Sequence, residues 1–393
     1  MECIDCGANP TNHYHAWFFG SIDAAFNRLR LPQPVFTVYE AATIPVQRVL
    51  TKGFKLIAPQ LMRMRVLSYN DDIAWAGSAR SRVVWEEAKR RGVALKQLVV
   101  FGTYTDLFEF EKDGATYIYF SVPIPPKLQI KEVWPDDKSL VKEHFKKAGI
   151  PVPRSYSVST FAEAKKILQE LSRVCVKPRI GSNGRHTGTH ITTEAELRTA
   201  FMSAKKLCHW VIVEEYLEGN LGRATCVNGK LVGFLESQSP IVEGDGHSSI
   251  QKLVEAANAS RPQGVDEIEL SSLHEMHIKR RGYTLESVLE KGKKLSLIYW
   301  AGYSSGGRNW ERGVDIHPEL KKEIERAAQV TKLPLVGFDL ILEDPMKGPD
   351  EQKWGIIEAN SLPWIDLHQA ALYGPKINVA SYVWDLWDES NKS

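Results

Sequence analysis

Two short apolar runs near the C-terminal end carry acids where a core strand has no use for them. Gly337-Phe338-Asp339-Leu340-Ile341-Leu342 sets one carboxylate among apolar neighbours. Ile356-Ile357-Glu358-Ala359-Asn360 sets a second, with an amide two residues on. An ionised acid buried without a partner is strongly destabilising, so these side chains must reach solvent or meet a cation. Alternate strand residues share a face, which puts Glu358 and Asn360 on one side together. Two carboxylates and an amide oxygen on neighbouring strands are hard donors of the kind Mg²⁺ takes, with phosphate oxygens completing the shell. An exposed sheet face with ordinary charges fits the same spacing, and spacing alone does not choose.

At 393 residues the chain exceeds one ordinary compact core, so two or three domains are expected. Ala79–Arg91 reads as a helix ended by Gly92, and Leu98–Phe101 as a strand. Asp113-Gly114 is the tight turn between Glu109–Lys112 and Thr116–Phe120. These suggest a small α/β domain over residues 1–133, punctuated at its end by Pro123, Pro125, Pro126 and Pro135. Beyond it Asp137 caps a helix over Lys138–Ala148, and Thr160-x-x-Glu163 and Thr193-x-x-Glu196 are capping boxes. Ser248-x-x-Gln251 starts another helix, and Pro318–Val330 forms a further one. Arg173–Lys177 and Trp210–Leu217 read as strands, and Arg223–Val227 with Leu231–Leu235 as a hairpin about Asn228-Gly229. Strand–helix–strand, then a hairpin, then the acid-bearing strands: the order is α+β with antiparallel sheets, unlike a doubly wound alternation.

Lys177 ends the strand Val174-Cys175-Val176-Lys177-Pro178, ahead of the loop Gly181-Ser182-Asn183-Gly184-Arg185-His186-Thr187-Gly188. Such a loop can present several N–H donors to phosphate, with the lysine adding charge. It is neither a Walker loop nor a dinucleotide fingerprint, and an ordinary hairpin beside a surface lysine would look the same. Val211-Ile212-Val213-Glu214-Glu215-Tyr216-Leu217 runs from apolar residues into two acids. Its backbone could read an adenine edge, although a strand that simply surfaces explains it with less.

Taken in order, these segments resemble the ATP-grasp superfamily. The resemblance rests on Lys138, Gly149-Ile150-Pro151-Val152-Pro153, Val176-Lys177-Pro178 with its glycine loop, Val213-Glu214-Glu215, Gly337-Phe338-Asp339 and Ile357-Glu358-Ala359-Asn360. Val242-Glu243-Gly244-Asp245-Gly246-His247-Ser248-Ser249-Ile250, with Leu253-Val254, Asn258, Ser304-Ser305-Gly306-Gly307 and His317-Pro318, is similar to the cyanophycin synthetase and bifunctional glutathione synthetase branch. The resemblance implies an α+β ATP-grasp fold in which two α/β subdomains clamp ATP, behind a smaller α/β N-terminal domain. The ATP-grasp part is then residues 134–393, with 152–217 clamping nucleotide and 218–393 binding metal and substrate.

Roles follow from the resemblance position by position. Lys138 and Lys177 match lysines that contact nucleotide phosphate and base, and Gly181, Ser182, Asn183 and Gly184 match the mobile loop over the phosphates. Glu214 matches the acid facing the adenine amine, with Glu215, Tyr216 and Leu217 along its edge. Asp339, Glu358 and Asn360 match ligands of Mg²⁺, two ions of it or Mn²⁺ instead. The implied reaction phosphorylates a carboxylate with ATP and lets an amine, an amino acid or small peptide, displace phosphate, forming an amide and ADP. Two departures keep a second reading open, a catalytically silent nucleotide-binding regulator. Leu221 stands where relatives carry a ribose acid, leaving Glu218 or Asn220 to replace it. Glu236 and Ser237 stand where the branch places a γ-phosphate arginine. Arg223 aligns with another family arginine and Arg308 or Arg312 could fill the gap, so Arg223 and Arg308 are the expected catalytic cations.

A formal net charge of +2 gives no reason to expect nucleic acid or a membrane surface as partner. No apolar run approaches the roughly 20 residues of a membrane helix. Five irregularly spaced cysteines read as reduced thiols. The expectation is a cytoplasmic protein with small-molecule carboxylate and amine substrates, as a monomer or homo-oligomer. Cys3-x-x-Cys6 with His13-x-His15 has the elements of a zinc site, but its reach and spacing fit common fingers poorly, so no structural zinc is expected. His274-Glu275-Met276-His277 is one residue short of the zinc-protease spacing.

Overall fold

A computed structural model describes residues 12–29, 60–64, 66–129, 134–181, 185–263, 265–298 and 306–389. Helix α1 (His13–Leu29) precedes an antiparallel meander of β1 (Leu67–Asn70), β2 (Lys96–Val100), β3 (Thr103–Lys112) and β4 (Ala115–Phe120), with α2 (Ala79–Arg90) between β1 and β2. Asp113 and Gly114 take φ of 52° and 73°, the mirror-image turn that joins β3 to β4. Ser78 caps α2 by accepting from Ser81 N, and the helix packs Val84, Trp85 and Ala88 onto Phe108 and Tyr119.

The next layer begins with α3 (Lys138–Lys147), capped by Asp137, whose side chain accepts from Ser139 N and Leu140 N. It is followed by β5 (Ser155–Val158), α4 (Phe161–Leu171), β6 (Val174–Pro178), β7 (Gly188–Ile191), α5 (Glu194–Lys205) and β8 (Val211–Glu215). The strands form one antiparallel sheet in the order β5-β8-β6-β7. Both capping boxes, Thr160/Glu163 and Thr193/Glu196, are formed and start α4 and α5, which cover the same apolar face.

Then come β9 (Asn220–Val227), β10 (Lys230–Gln238), β11 (Ile241–Glu243), α6 (Ile250–Ala259), α7 (Ser272–Arg280), β12 (Lys294–Ser296), β13 (Arg308–Glu311), α8 (Pro318–Thr331), β14 (Leu335–Leu342), β15 (Gly355–Asn360) and α9 (Val379–Glu389). Five strands pair in the order β13-β10-β9-β14-β15, and β11 with β12 makes a separate ribbon. The cap of α6 is Ser249, one residue past the expected Ser248, with its hydroxyl accepting from Lys252 N. Ser248 instead gives its N–H to Asp245 Oδ1 at 2.7 Å, which makes it part of the preceding turn.

Both terminal helices cross to layers far from them in sequence. The α9 tryptophans reach the first sheet: Trp384 Nε1 donates to Val84 O at 3.1 Å and Trp387 Nε1 to Pro123 O at 2.7 Å. Helix α1 lies instead against the second layer, where Ser21 Oγ accepts from His209 N at 2.8 Å and Asn27 Nδ2 donates to Asp137 at 2.9 Å. His13 and His15 occupy its first turn, while Cys3 and Cys6 lie outside the described residues. Among the described residues no helix is long and apolar enough to cross a membrane.

Candidate functional site

The five-stranded sheet has two unlike faces, and its register says which residues share each. Arg223 of β9 stands opposite Asp339 of β14, and Asp339 opposite Glu358 of β15. Directly opposed residues on an antiparallel ladder share a face, so these three charges lie side by side. Asn360, two residues after Glu358 and opposite Gly337, joins them. The intervening residues Ala224, Phe338, Leu340 and Ala359 point the other way into a core completed by α3 and α8. A register shift between Asp339 and Leu340 bends the strand beside the acids.

Arg223 grips Asp339 with two bonds, Nε to Oδ1 at 2.8 Å and Nη2 to Oδ2 at 3.1 Å. The Asp339 charge holds the guanidinium even further above its ordinary range. At the β15 edge of the sheet the Asp137 cap aims α3, which packs on the apolar face, so that Lys138 and Lys142, one helical turn apart, point the same way. Asp137 is itself fixed by Arg179, Nε to Oδ1 at 2.9 Å and Nη2 to Oδ2 at 2.9 Å. Lys138 Nζ lies 3.0 Å from Glu358 Oε1, Lys142 Nζ 3.1 Å from Glu214 Oε2, and Lys177 Nζ 2.5 Å from Glu214 Oε1. Lys142 and Lys177 both donate to the Ile357 carbonyl, the latter at 3.3 Å.

Three buried ammonium groups therefore face two carboxylates. Burial pushes the Lys142 ammonium down to about 8, against the pull of Glu214. Burial works on Lys177 too, but Glu214 and Glu358 outweigh it and hold that ammonium above its ordinary value. Burial opposes ionisation of Glu214 and Glu358, yet the surrounding lysines keep both below the usual carboxylate range. Asp136 next door is pushed up by burial, while accepting from Ser361 N at 2.9 Å and Ser361 Oγ at 2.6 Å.

Of the residues singled out from sequence, Lys138, Lys177, Glu214, Arg223, Asp339, Glu358 and Asn360 come together here. Tyr216 lies on the same rim under the Arg173 guanidinium, 5.3 Å from its ring centre, and Leu217 is buried against Gly355. Glu215 turns away to pair with Lys353. Gly181 has φ of 75° with open space where a side chain would begin, and Ser182, Asn183 and Gly184 lie outside the described residues. Arg308 does not join the cluster: it opposes Gln238 on the other face and lines a cavity of about 380 Å³ with Trp310 and Arg261. Arg312 is likewise engaged elsewhere, 2.9 Å from Glu236. Leu221 and Ser237 oppose each other on the Arg223 face and bring no charge to it. Glu218 pairs with Arg173, and Asn220 donates to Glu236 at 3.3 Å.

Lys142 escaped the sequence reading because a helical lysine usually marks a solvated face. Its spacing of four from Lys138, in a helix capped by Asp137, was the available signal. Cys175 also lies beside Glu214 and Lys177, its thiol pushed up to about 12 by burial and therefore unreactive.

No family model matches the chain. Cyanophycin synthetase of a Synechocystis species is 33% identical over 260 residues, covering 64% of this chain and 30% of that protein. A bifunctional glutathione biosynthesis protein of Clostridium perfringens is 23% identical over 312 residues, 76% of this chain and 40% of the relative. A bifunctional glutathione synthetase from Pasteurella multocida superposes with a TM-score of 0.52 at 20% identity, over 79% of this chain and 44% of that one. The chain is thus similar in sequence to these synthetases over part of their length and shares its fold with the last of them. It spans well under half the length of these relatives, 30% of the first and 40% of the second, and the expected α+β ATP-grasp fold is the one observed.

Proposed function

We propose that the chain is a ligase that uses ATP and Mg²⁺ to join a carboxylate to an amine, releasing ADP and phosphate. The observation that carries this reading is the buried cationic cluster in the cleft, where Lys138, Lys142 and Lys177 converge on Glu214 and Glu358. A triphosphate suits such a cluster, because charge-assisted hydrogen bonds to buried ammonium groups are strong. Lys138 and Lys177 grip the phosphates, and the rim at Glu214, Tyr216 and Leu217 takes the adenine. Asp339, Glu358 and Asn360 fit Mg²⁺, as a single ion or a pair, or Mn²⁺. All three are hard oxygen donors on one face, and cationic Arg223 and Lys138 already sit against the two acids. The bound ion would supply charge neutralisation to phosphate oxygens.

The residues of the chain then do the following. An oxygen of the substrate carboxylate attacks the γ-phosphorus, the bond to the bridging oxygen breaks, and ADP leaves with the electron pair. Arg223, held flat by Asp339, is the cation on this face that answers charge moving on the transferring group. The amine nitrogen next attacks the acyl carbon, the carbon–oxygen bond to phosphate breaks, and the nitrogen sheds its surplus proton to give the amide. The uncharged Leu221 and Ser237 on the same face favour a second reading, nucleotide binding without turnover. The test supplies ATP, Mg²⁺, a panel of carboxylates and hydroxylamine, and follows hydroxamate together with ADP. Matched hydroxamate and ADP support the ligase. AMP contradicts it, and tight nucleotide binding with no turnover on any carboxylate selects the silent binder.

A further inference from the structure

The segment after Asn360 is fastened from several sides. Ser361 is held by Asp136, as described above. Arg80 of α2, 7% exposed, donates Nη1 to Leu362 O at 2.5 Å and Nε to Ser121 Oγ at 2.7 Å. Its guanidinium lies 4.9 Å from the Trp364 ring centre. Ile365 is buried in the core under the first sheet, while His368 sits on the five-stranded sheet, Nε2 at 2.7 Å from Thr225 Oγ1 and Nδ1 at 2.6 Å from Glu311 Oε2. The one-turn helix Ile365–His368 is thus fixed at both ends, and Asp366 inside it has little freedom to swing away.

Asp366, the acid in this segment, is only partly satisfied. Its Oδ1 is buried and has no hydrogen-bond partner. Burial pushes its carboxyl above the usual carboxylate range, while Arg80, His368 and Arg223 pull the other way. Neither arginine pairs with it: Arg223 is committed to Asp339, and Arg80 to Ser121 and the Leu362 carbonyl. A buried carboxylate oxygen in a fixed backbone is destabilising until a donor arrives, and a cationic donor compensates it best. The ligase reading brings such a donor to this end of the cleft, because an amine must approach the acyl group formed beside Arg223.

We infer that Asp366 anchors the ammonium form of the amine acceptor, and that Arg80 is a positioning residue that holds Asp366 in place through the Leu362–Trp364 segment. The inference rests on the ligase reading and adds a residue to it. The role is binding and orientation, and the nitrogen reacts by the steps already given.

Hydroxylamine makes the test selective, because it is largely uncharged near neutral pH and has no need of a carboxylate anchor. The full chain is given ATP, Mg²⁺ and the twenty amino acids, as carboxylate and amine sources together, with and without hydroxylamine. Asp366→Asn should raise KM for the amine acceptor and cut amide formation about tenfold or more, while hydroxamate formation stays within about twofold. Asp366→Ser provides a second variant should the first fold poorly, and Arg80→Gln should raise the same KM without changing the hydroxamate rate. Amide formation untouched in both Asp366 variants overturns the anchor and leaves the ligase standing. Equal loss of amide and hydroxamate in a variant with wild-type melting also overturns it, moving Asp366 to the phosphoryl step. No hydroxamate from the wild-type chain removes the ligase reading and the anchor with it.

Discussion

The two faces of the β13-β10-β9-β14-β15 sheet are made by the same strands and obey opposite rules. One face carries Ala224, Phe234, Phe338, Leu340 and Ile356, all fully buried against α3 and α8. The other carries Arg223, Asp339, Glu358 and Asn360, where partial exposure and paired charges replace packing. Strand alternation alone separates them, so a shift of one residue would exchange core for chemistry. Packing belongs to the first face and the proposed chemistry to the second, so substitutions on the two should give different phenotypes.

The largest effect is expected on the charged face. Asp339→Asn and Glu358→Gln keep side-chain shape and remove charge, and each should lower turnover by about 10²–10³-fold while ATP affinity falls much less. Each substitution also leaves a cation, half-buried Arg223 or buried Lys138, without its counter-charge, so a lower melting temperature is expected beside the loss of turnover. Turnover retained at limiting Mg²⁺ would remove these residues from the reaction.

The apolar face should respond the other way. Phe338 is fully buried beside Phe145, ring centres 5.9 Å apart, and truncation leaves a cavity that neighbours fill only in part. Phe338→Ala should lose about 3–5 kcal/mol of stability, read as a shift in denaturant midpoint at constant slope. At temperatures where the variant remains folded, its turnover should stay near wild type. A Phe338→Ala protein that is stable but inactive would show the faces to be coupled.

Between the two faces lies the lysine cluster, whose expected effects are intermediate. Lys177→Ala or Lys142→Ala should weaken ATP binding about tenfold or more by calorimetry. Lys142 adds a pH signature. Its folded-state value of about 8 lies below the ordinary lysine value of 10.5, so between those limits the folded chain binds fewer protons than the unfolded one. Stability from this group therefore rises as pH climbs through that window, and the penalty of burying the charge is present in full below it. ATP affinity should move oppositely, falling as pH passes 8 and the ammonium is lost. Lys142→Arg, which cannot deprotonate in that range, should flatten the affinity profile. A wild-type profile with no inflection there removes Lys142 from the nucleotide site.

Much of the frame was legible because local signals carry their own physics. The Thr160 and Thr193 capping boxes, the Asp113-Gly114 and Asn228-Gly229 turns and the acids at 339 and 358 each follow from a rule confined to a few residues. What stayed hidden depends on contacts between distant segments. Helix α1 offers no acid in its first turn and leaves Tyr14, Trp17 and Phe18 exposed, so its pattern does not announce a buried face. The docking of Trp384 and Trp387 onto the first sheet, and of Arg80 onto Leu362, joins segments more than 250 residues apart. Asp366 looked like any surface acid until the fold enclosed it.

Arg308 is where the comparison of faces becomes sharpest, and where the smallest effect is expected. Sequence made it a candidate for the missing γ-phosphate charge because it follows the Gly306-Gly307 pair. The decision turns on the parity of one strand. On β13, Asn309 opposes Ser237 and Arg308 opposes Gln238, while on β10 Ser237 opposes Leu221, two residues from Arg223. Asn309 thus shares the face of Arg223, and Arg308 shares the face of Glu236 and Trp310. An arginine there lies across the sheet plane from Arg223, Asp339 and Glu358. Arg308→Ala should accordingly change stability by no more than about 0.5 kcal/mol and leave turnover within about twofold. The measurement is kcat and KM for ATP beside a melting curve. A fall in kcat of a hundredfold or more at unchanged stability would mean that β13 is displaced by one residue in the working enzyme, and Asn309→Ala would then be the variant with the small effect.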